Sequence, residues 1–376
     1  MKILYVIDNL EFGGGEKGFL QIIKGLDKEK YTIYTASKPY GEFGKKLGEM
    51  RIHFEPVNME NRFNPFTILK LMRIIKKECV HIVHSQGARA DFFSRVAVRG
   101  TRRSHLVSTI QMPVEGYDVS ILRKKIYRIF DRFSERFVDR FIVVSESLKK
   151  TLIDDRRIPL NKVIKIYNGV ELDAYTPDVF CQSPSEIRKK LEIKNEIFVI
   201  GTIGRMVWQK GFEYLIEAAS NVIKEYPEAR FLIVGEGPLK GKLKVKSKEL
   251  RVEDKVIFTG FRTDIKEVLS AIDIIVIPSL LEGFPMITLE AMAMAKPIIA
   301  TNINGITEQI TDGINGILIP PKNPSAIAQA IITLINNREK AKEMGLAARK
   351  KVEEEFSIEK MVSEIEKVYF SLMETN

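Results

Sequence analysis

Apolar runs of three to six residues, each followed by a segment of helical length, recur along almost the whole chain. In the first half they fall at residues 3–7, 31–36, 80–84, 106–110, 141–144 and 163–166; in the second, at 198–203, 231–234, 256–259, 274–277, 297–300 and 317–319. Runs this short, rich in Val and Ile, read as strands buried on both faces, the habit of a parallel sheet covered by crossover helices. The alternation breaks once, at residues 171–185, where Pro177, Pro184, Asp173 and Asp178 stand without any period. That break reads as a linker. The predicted architecture is α/β: two doubly wound, Rossmann-like domains facing each other across a cleft, with ligands beyond the carboxyl ends of the strands. The expected boundaries are 1–170, a linker at 171–185, and 186–356. A last helix at about 357–376 has Ile358, Met361, Val362, Ile365, Val368 and Tyr369 on one face and is expected to pack back on the first domain.

A chain of 376 residues is long enough for two cores. Its 45% hydrophobic and 29% charged residues are those of a soluble globular protein. The net charge of +10 suits anionic substrates or an anionic membrane surface. Lys and Arg are not gathered in one tail, so nucleic acid is not the expected partner. Cys79 and Cys181 stand far apart and form no CxxC, which fits a reducing, cytoplasmic setting. No apolar run reaches the ~18 residues of a membrane span. Contact with a membrane would therefore be peripheral, on its inner face. Residues 123–137 are the expected place: Arg123, Lys124 and Lys125 precede Ile126, Ile129, Phe130, Phe133 and Phe137, which can share a helix face. Such a segment either packs on its own domain or lies in a lipid interface.

The densest chemistry lies in Glu282-Gly283-Phe284-Pro285-Met286-Ile287-Thr288-Leu289-Glu290, between an apolar run and a helix-forming run. Pro285 suits the first helical position, and the unpaired N–H groups of a helix start attract an anion such as phosphate. Glu282 then lies in a loop and Glu290 about one turn into the helix. Two carboxylates on one loop–helix unit cannot flank a glycosidic bond from two sides, so holding hydroxyls suits them better than hydrolysis. Gly204-Arg205 and Lys210-Gly211 follow another strand end, where Arg and Lys can clamp a diphosphate. Gly13-Gly14-Gly15 stands between the first strand and its helix, yet it is neither GxGxxG nor a P-loop. His84, one of four histidines, ends the predicted strand 80–84 and so stands at a rim as a catalytic candidate. No Asp-x-Asp and no zinc-ligand spacing occur, so no metal is expected to hold the diphosphate.

These motifs together resemble the retaining glycosyltransferases of the GT-B fold, family 4, over nearly the whole length. The likeness is carried by Glu282-x7-Glu290 followed by Lys296-Pro297-Ile298-Ile299-Ala300-Thr301, by Gly204-Arg205 with Lys210-Gly211, by Tyr167-Asn168-Gly169-Val170, by Gly260-Phe261-Arg262-Thr263-Asp264, by Asp312-Gly313-Ile314-Asn315-Gly316, and by Gly13 to Gly15. It implies transfer of a sugar from a UDP- or GDP-sugar, with retention and without a metal, to a carbohydrate or lipid-linked acceptor in cell-surface polysaccharide or glycolipid synthesis. By that likeness Arg205 and Lys210 hold the diphosphate, and Glu290 the ribose. Glu282 with the backbone of Gly283 to Pro285 holds the donor sugar; Phe284, Met286 and Ile287 belong to the same loop and helix start. Phe261 and Arg262 line the base pocket, and Gly14 and Gly15 approach the diphosphate or sugar. Many members carry a histidine just after the strand at 106–110; this chain has Gln111, which can hydrogen-bond a sugar but cannot act as a base. Two other readings stay open: a sugar-nucleotide epimerase of the same fold, and a sugar-nucleotide-binding protein without transferase activity.

Overall fold

A computed structural model of the chain describes residues 1–8, 13–38, 41–61, 64–112, 134–175 and 183–374. The chain forms two compact units, Met1–Gly169 with Ile358–Asn376, and Val170–Ser357. The first holds a seven-stranded sheet of β1 (Lys2–Ile7), β2 (Thr32–Ser37), β3 (His53–Pro56), β4 (Ile82–Gln86), β5 (His105–Ile110), β6 (Arg140–Val143) and β7 (Val163–Lys165), in the order β3-β2-β1-β4-β5-β6-β7. The second holds β8 (Val199–Ile203), β9 (Arg230–Val234), β10 (Val256–Gly260), β11 (Ile274–Ile277), β12 (Ile298–Thr301) and β13 (Ile317–Ile319), in the order β10-β9-β8-β11-β12-β13. Every pairing is parallel. This is the two-domain GT-B arrangement of two doubly wound sheets. In each sheet the strand order reverses once, between β1 and β4 and between β8 and β11. The loops leaving those strands surround the crevice where ligands of such sheets bind.

Strand composition explains the central positions. Ile3, Leu4, Tyr5 and Val6 are all fully buried, because helices cover both faces of β1. The helix Gly14–Gly25 returns to the sheet by burying Phe19, Leu20, Ile22 and Ile23. Phe19 meets Tyr5 edge-on at 5.1 Å. Truncating such a ring to Ala costs about 3–5 kcal/mol, transfer and cavity together.

Several boundaries differ from the sequence reading. β4 runs to Gln86 rather than stopping at His84, since Ser85 and Gln86 pair with Val6 and Ile7 on one side and with Ser108 and Thr109 on the other. Apolar patterning missed them because the strand's end is polar. Their partners supply the missing compensation: Ser85 Oγ and Ser108 Oγ both donate to Asp91 Oδ1, at 2.6 and 2.7 Å. The edge strand β3 and the helix Glu42–Glu49 gave no apolar run long enough to read. In the expected linker, Leu172–Tyr175 forms a short 3-10 turn and a helix starts at Pro184. Ser183 and Glu186 cap that helix reciprocally. Most of the 123–137 segment lies outside the described residues.

The helix Arg338–Glu355 stops before Phe356, whose ring packs on Phe284 at 5.3 Å, and Val170 N donates to Phe356 O at 2.9 Å. The next helix, Ile358–Met373, belongs to the first unit. It buries Met361, Val362, Ile365, Val368, Tyr369 and Leu372, with Val362 lying against the bare backbone of Gly25.

Candidate active site

Two loops of the second unit are zipped together at the carboxyl ends of β8 and β11. Gly211, which starts the helix Phe212–Glu225, has φ +60°, and a Cβ there would stand 2.1 Å from Pro278 O. Glycine alone fits this left-handed, close approach. Next to it, Gln209 O accepts Leu280 N at 2.6 Å. The result places Lys210 Nζ 2.6 Å from Glu282 Oε1, and Ser279 Oγ donates to the same oxygen at 2.7 Å. Ser279 O is in turn held by Thr301 Oγ1 at 2.5 Å. Glu282 is only 4% exposed, so its charge is compensated by the ammonium and hydroxyl rather than by water. Both bonds fall on Oε1, which leaves Oε2 without a partner among the described residues. Arg205 is exposed and follows Gly204, where a Cβ would stand 3.6 Å from Lys210 Cε.

The helix Met286–Ala293 begins where expected to within one residue, with Pro285 as its cap rather than its first residue. Gly305, at φ +84°, lies so close to Gly283 that a Cβ would stand 2.2 Å from Gly283 O, and Gln309 Nε2 donates to Pro285 O at 3.1 Å. Glycine and amide thus fix the turn that aims this helix start. The side chains of Phe284 and Met286 are buried in the core, so a ligand at this turn meets their backbone. Glu290 is 3% exposed and accepts a hydrogen bond from the Tyr175 hydroxyl. Burial, and then the Glu290 carboxylate, push the Tyr175 phenol well above its ordinary range. Phe261 is exposed, and Arg262 is tied to its own loop by a fork to Asp264, with Nε 2.8 Å from Oδ1.

The rim of the first unit has a different character. His84 does not stand at the rim: it lies in the middle of β4, fully buried. Its Nδ1 meets Tyr369 OH at 2.5 Å and its Nε2 meets Thr109 Oγ1 at 2.6 Å. Burial pushes its pKa down to about 3, so the ring is neutral at physiological pH and has no free nitrogen for a substrate. The catalytic assignment of His84 is therefore corrected to a structural one. Gln111 is at the rim, interlocked with two further amides. Its Nε2 donates to Gln86 Oε1 at 3.2 Å and to Asn168 Oδ1 at 3.1 Å, while Asn168 Nδ2 donates back to Gln111 Oε1 at 2.9 Å. This cluster rests on a bare helix face. A Cβ at Gly15 would stand 3.0 Å from Gln86 Nε2, and one at Gly18 would touch both Gln111 and Asn168 at 3.5 Å. Gly14 is exposed, and Gly13 N is capped by Glu16 Oε2 at 2.9 Å. A carboxylate at that helix start opposes a phosphate there.

Two buried carboxyl groups, a lysine and a helix start at the strand ends of a Rossmann-like unit match what a sugar-nucleotide transferase needs. The comparisons decide the family. Residues 184–351 match the family described as Glycosyl transferases group 1, and residues 12–174 match Glycosyltransferase Family 4. The chain belongs to the family 4 glycosyltransferases. It is 27% identical over 372 residues, 96% of this chain and 94% of the relative, to the UDP-Gal:alpha-D-GlcNAc-diphosphoundecaprenol alpha-1,3-galactosyltransferase of Escherichia coli. To the N-acetyl-alpha-D-glucosaminyl L-malate synthase of Bacillus anthracis it is 29% identical, covering 96% of this chain and 94% of that one. The crystal structure of Anabaena HepE in complex with UDP and glucose shares the fold, with a TM-score of 0.86 and 23% identity over 99% of this chain and 100% of that one.

In this glycosyltransferase the structure brings Gly204, Lys210 and Glu282 together in the second unit, with Gly283 and Pro285 at the turn that follows and Glu290 in the helix beyond it. In the first unit Gly15 and Gln111 meet through Gln86, and Gly14 is exposed next to Gly15. Sequence reasoning missed Ser279, Tyr175, Gln86 and Asn168. Ser279 and Asn168 lay inside quoted motifs or beside them, but a lone hydroxyl or amide carries no spacing signal. Tyr175 sits in a stretch read as linker. Among the described residues no group of three or more His, Cys, Asp or Glu could hold a metal.

Proposed function

We propose that the protein transfers a sugar from a UDP-sugar, or from a GDP-sugar in its place, to the hydroxyl of a lipid-linked sugar, with retention of anomeric configuration, in cell-surface glycan synthesis. The observation that carries this is Lys210, held 2.6 Å from Glu282 on a glycine-locked loop beside the start of the helix Met286–Ala293. A fixed ammonium and helix N–H groups stabilise a departing diphosphate without reorganising, and such preorganised charge is the largest usual source of catalysis. Arg205 adds a second cation. Glu282 Oε2 faces no partner among the described residues and accepts from a sugar hydroxyl. Glu290, steadied by Tyr175, accepts from the ribose hydroxyls.

In the step itself the bond from the anomeric carbon to the β-phosphate oxygen breaks, and the acceptor oxygen takes its place. The acceptor's proton goes to the departing phosphate oxygen: His84 is sealed in the core, and the Gln111 amide is not a base. The names of the relatives support a nucleotide-sugar donor. The galactosyltransferase supports a diphosphopolyprenol-linked acceptor and an α-linked product. Incubating the protein with UDP-glucose, UDP-galactose and their N-acetylamino forms, with a short-chain polyprenyl-diphosphate GlcNAc, tests the reading. Release of UDP and an α-linked product, unchanged by EDTA, is expected. Nucleotide binding without any turnover would favour a binding protein, and L-malate accepted in preference to the lipid would overturn the acceptor.

A further inference from the structure

The loop after β8 is tied down on both sides, yet it turns one large ring outward. On one side Met206 N donates to Glu236 O at 2.8 Å, and Met206 O accepts from Leu239 N at 3.0 Å. On the other, Gln209 O accepts from Leu280 N and Leu281 N at 2.6 and 3.3 Å, and Gly211 lies against Pro278 O. Between these ties, Trp208–Lys210 forms a 3-10 turn, with Gly211 N donating to Trp208 O at 3.2 Å. The Gln209 side chain is buried. Trp208, just before it, is 46% exposed. Among the described residues its ring meets no other ring and no cation, and its Nε1 meets no acceptor. Trp208 stands in the unspecified part of Gly204-Arg205-x4-Lys210-Gly211, so the motif itself asks for no aromatic ring there. The indole is a large apolar surface on a backbone that is already fixed, and a ligand stacking on it need not order the loop first.

We propose that Trp208 is a platform on which a pyranose ring of a substrate stacks. The inference rests on the transferase reading above and adds to it a binding residue for sugar. Position selects a sugar over the base. In the sheet order β10-β9-β8-β11, the loop carrying Trp208 adjoins the loop carrying Glu282. Phe261 follows β10, two strands and about 10 Å across the sheet. Chemistry selects a sugar as well. One face of a pyranose presents C–H groups, slightly positive, which the negative face of an indole attracts; the same face repels a diphosphate. Hydrogen bonds from a carboxylate such as Glu282 hold a sugar by its edge, and a stacked ring sets its plane.

Trp208 is the chain's single tryptophan, so the indole emission of the full-length protein reports on this position alone. The probes are UDP, GDP, UDP-glucose, UDP-galactose, their N-acetylamino forms, GDP-mannose and the short-chain polyprenyl-diphosphate GlcNAc, with binding followed in parallel by calorimetry. A blue shift is expected with a sugar-bearing probe and not with the nucleoside diphosphate alone. A shift with a nucleotide sugar assigns the stacked ring to the donor; one with the polyprenyl-linked sugar alone assigns it to the acceptor. Trp208→Ala is expected to raise KM for that substrate about tenfold, with kcat and the other KM within about twofold, and Trp208→Phe to restore most of the loss. No shift with any sugar-bearing probe, or a shift as large with UDP or GDP as with its sugar, would overturn the proposal. So would a wild-type KM for both substrates in Trp208→Ala; turnover in that variant would leave the transferase reading standing. Absence of turnover in the wild type would count against the transferase reading instead, and the emission would still decide for or against stacking.

Discussion

The two rims of this molecule are built on the same kind of sheet and carry opposite chemistry. In the second unit, the loops after β8 and β11 hold charge: Lys210 against Glu282, with Arg205 in the same loop as Lys210 and a helix starting just past Glu282. In the first unit, the end of β4 and the positions after β5 and β7 hold three interlocked amides, Gln86, Gln111 and Asn168, with no ionisable side chain among them. The difference is one of what can move. A charged rim stabilises charge that develops on a ligand; an amide rim, its donors and acceptors committed to one another, fixes direction and transfers no proton. On the function proposed above, the reaction's charge and its proton then both belong to the diphosphate side.

That contrast can be broken most sharply at Lys210. Lys210→Ala is expected to lower donor turnover by about 10²–10³-fold with little change in thermal stability. A wild-type rate would remove the charged rim from the mechanism. A second test uses the sealed histidine. Its folded pKa is depressed below the ordinary 6.5, to about 3. Between those values the unfolded chain binds a proton that the folded one does not, so stability rises with pH through this window and is lost as pH falls. The slope is up to about 1.4 kcal/mol per pH unit. Denaturant unfolding of wild type and His84→Asn at pH 4.5 and 7 measures it; an equal acid loss in both proteins would mean that the ring is not the neutral, buried group described. Tyr175→Phe keeps the ring and removes only the bond to Glu290. Nucleotide affinity is expected to fall about fivefold, the ~1 kcal/mol that one hydrogen bond typically contributes. Calorimetry with UDP and with its 2′-deoxy form would show whether the loss tracks the ribose. The smallest expected change is Gln111→His. At pH 7.5 turnover is expected within about threefold of wild type, but a new inflection near the ordinary imidazole range should enter the pH–rate profile. A wild-type profile that already shows one would mean that the first rim is not neutral.

The fold was legible because its signal is repeated. A dozen short apolar runs and one interruption suffice for two doubly wound sheets, whichever individual boundary slips. The charged rim was legible for a related reason: Lys210-Gly211 and Glu282 to Glu290 put ionisable groups next to glycines at strand ends, and few structural uses need both. The amide rim was not. Gln86 and Asn168 become a cluster only through the register of β4 against β5 and the bareness of Gly15 and Gly18. Gly15 read from sequence as room for a ligand; in the structure Gln86 lies against it, and Gln111 and Asn168 lie against Gly18. His84 misled because two polar residues, Ser85 and Gln86, lengthen its strand, and sequence cannot see the Asp91 carboxylate that accepts from Ser85.

The last helix sets an order of assembly during translation. Tyr369 OH lies 2.8 Å from Tyr5 OH and 2.5 Å from His84 Nδ1, so the first strand waits for a residue made after the whole second unit. On the ribosome the second unit can close while the first still lacks a wall. Until residues 358–373 emerge, Tyr5, Phe19 and His84 stand at an open seam. A stop codon just after Phe356 would therefore spare the half of the protein that carries the charged rim and cripple the half that was synthesised first.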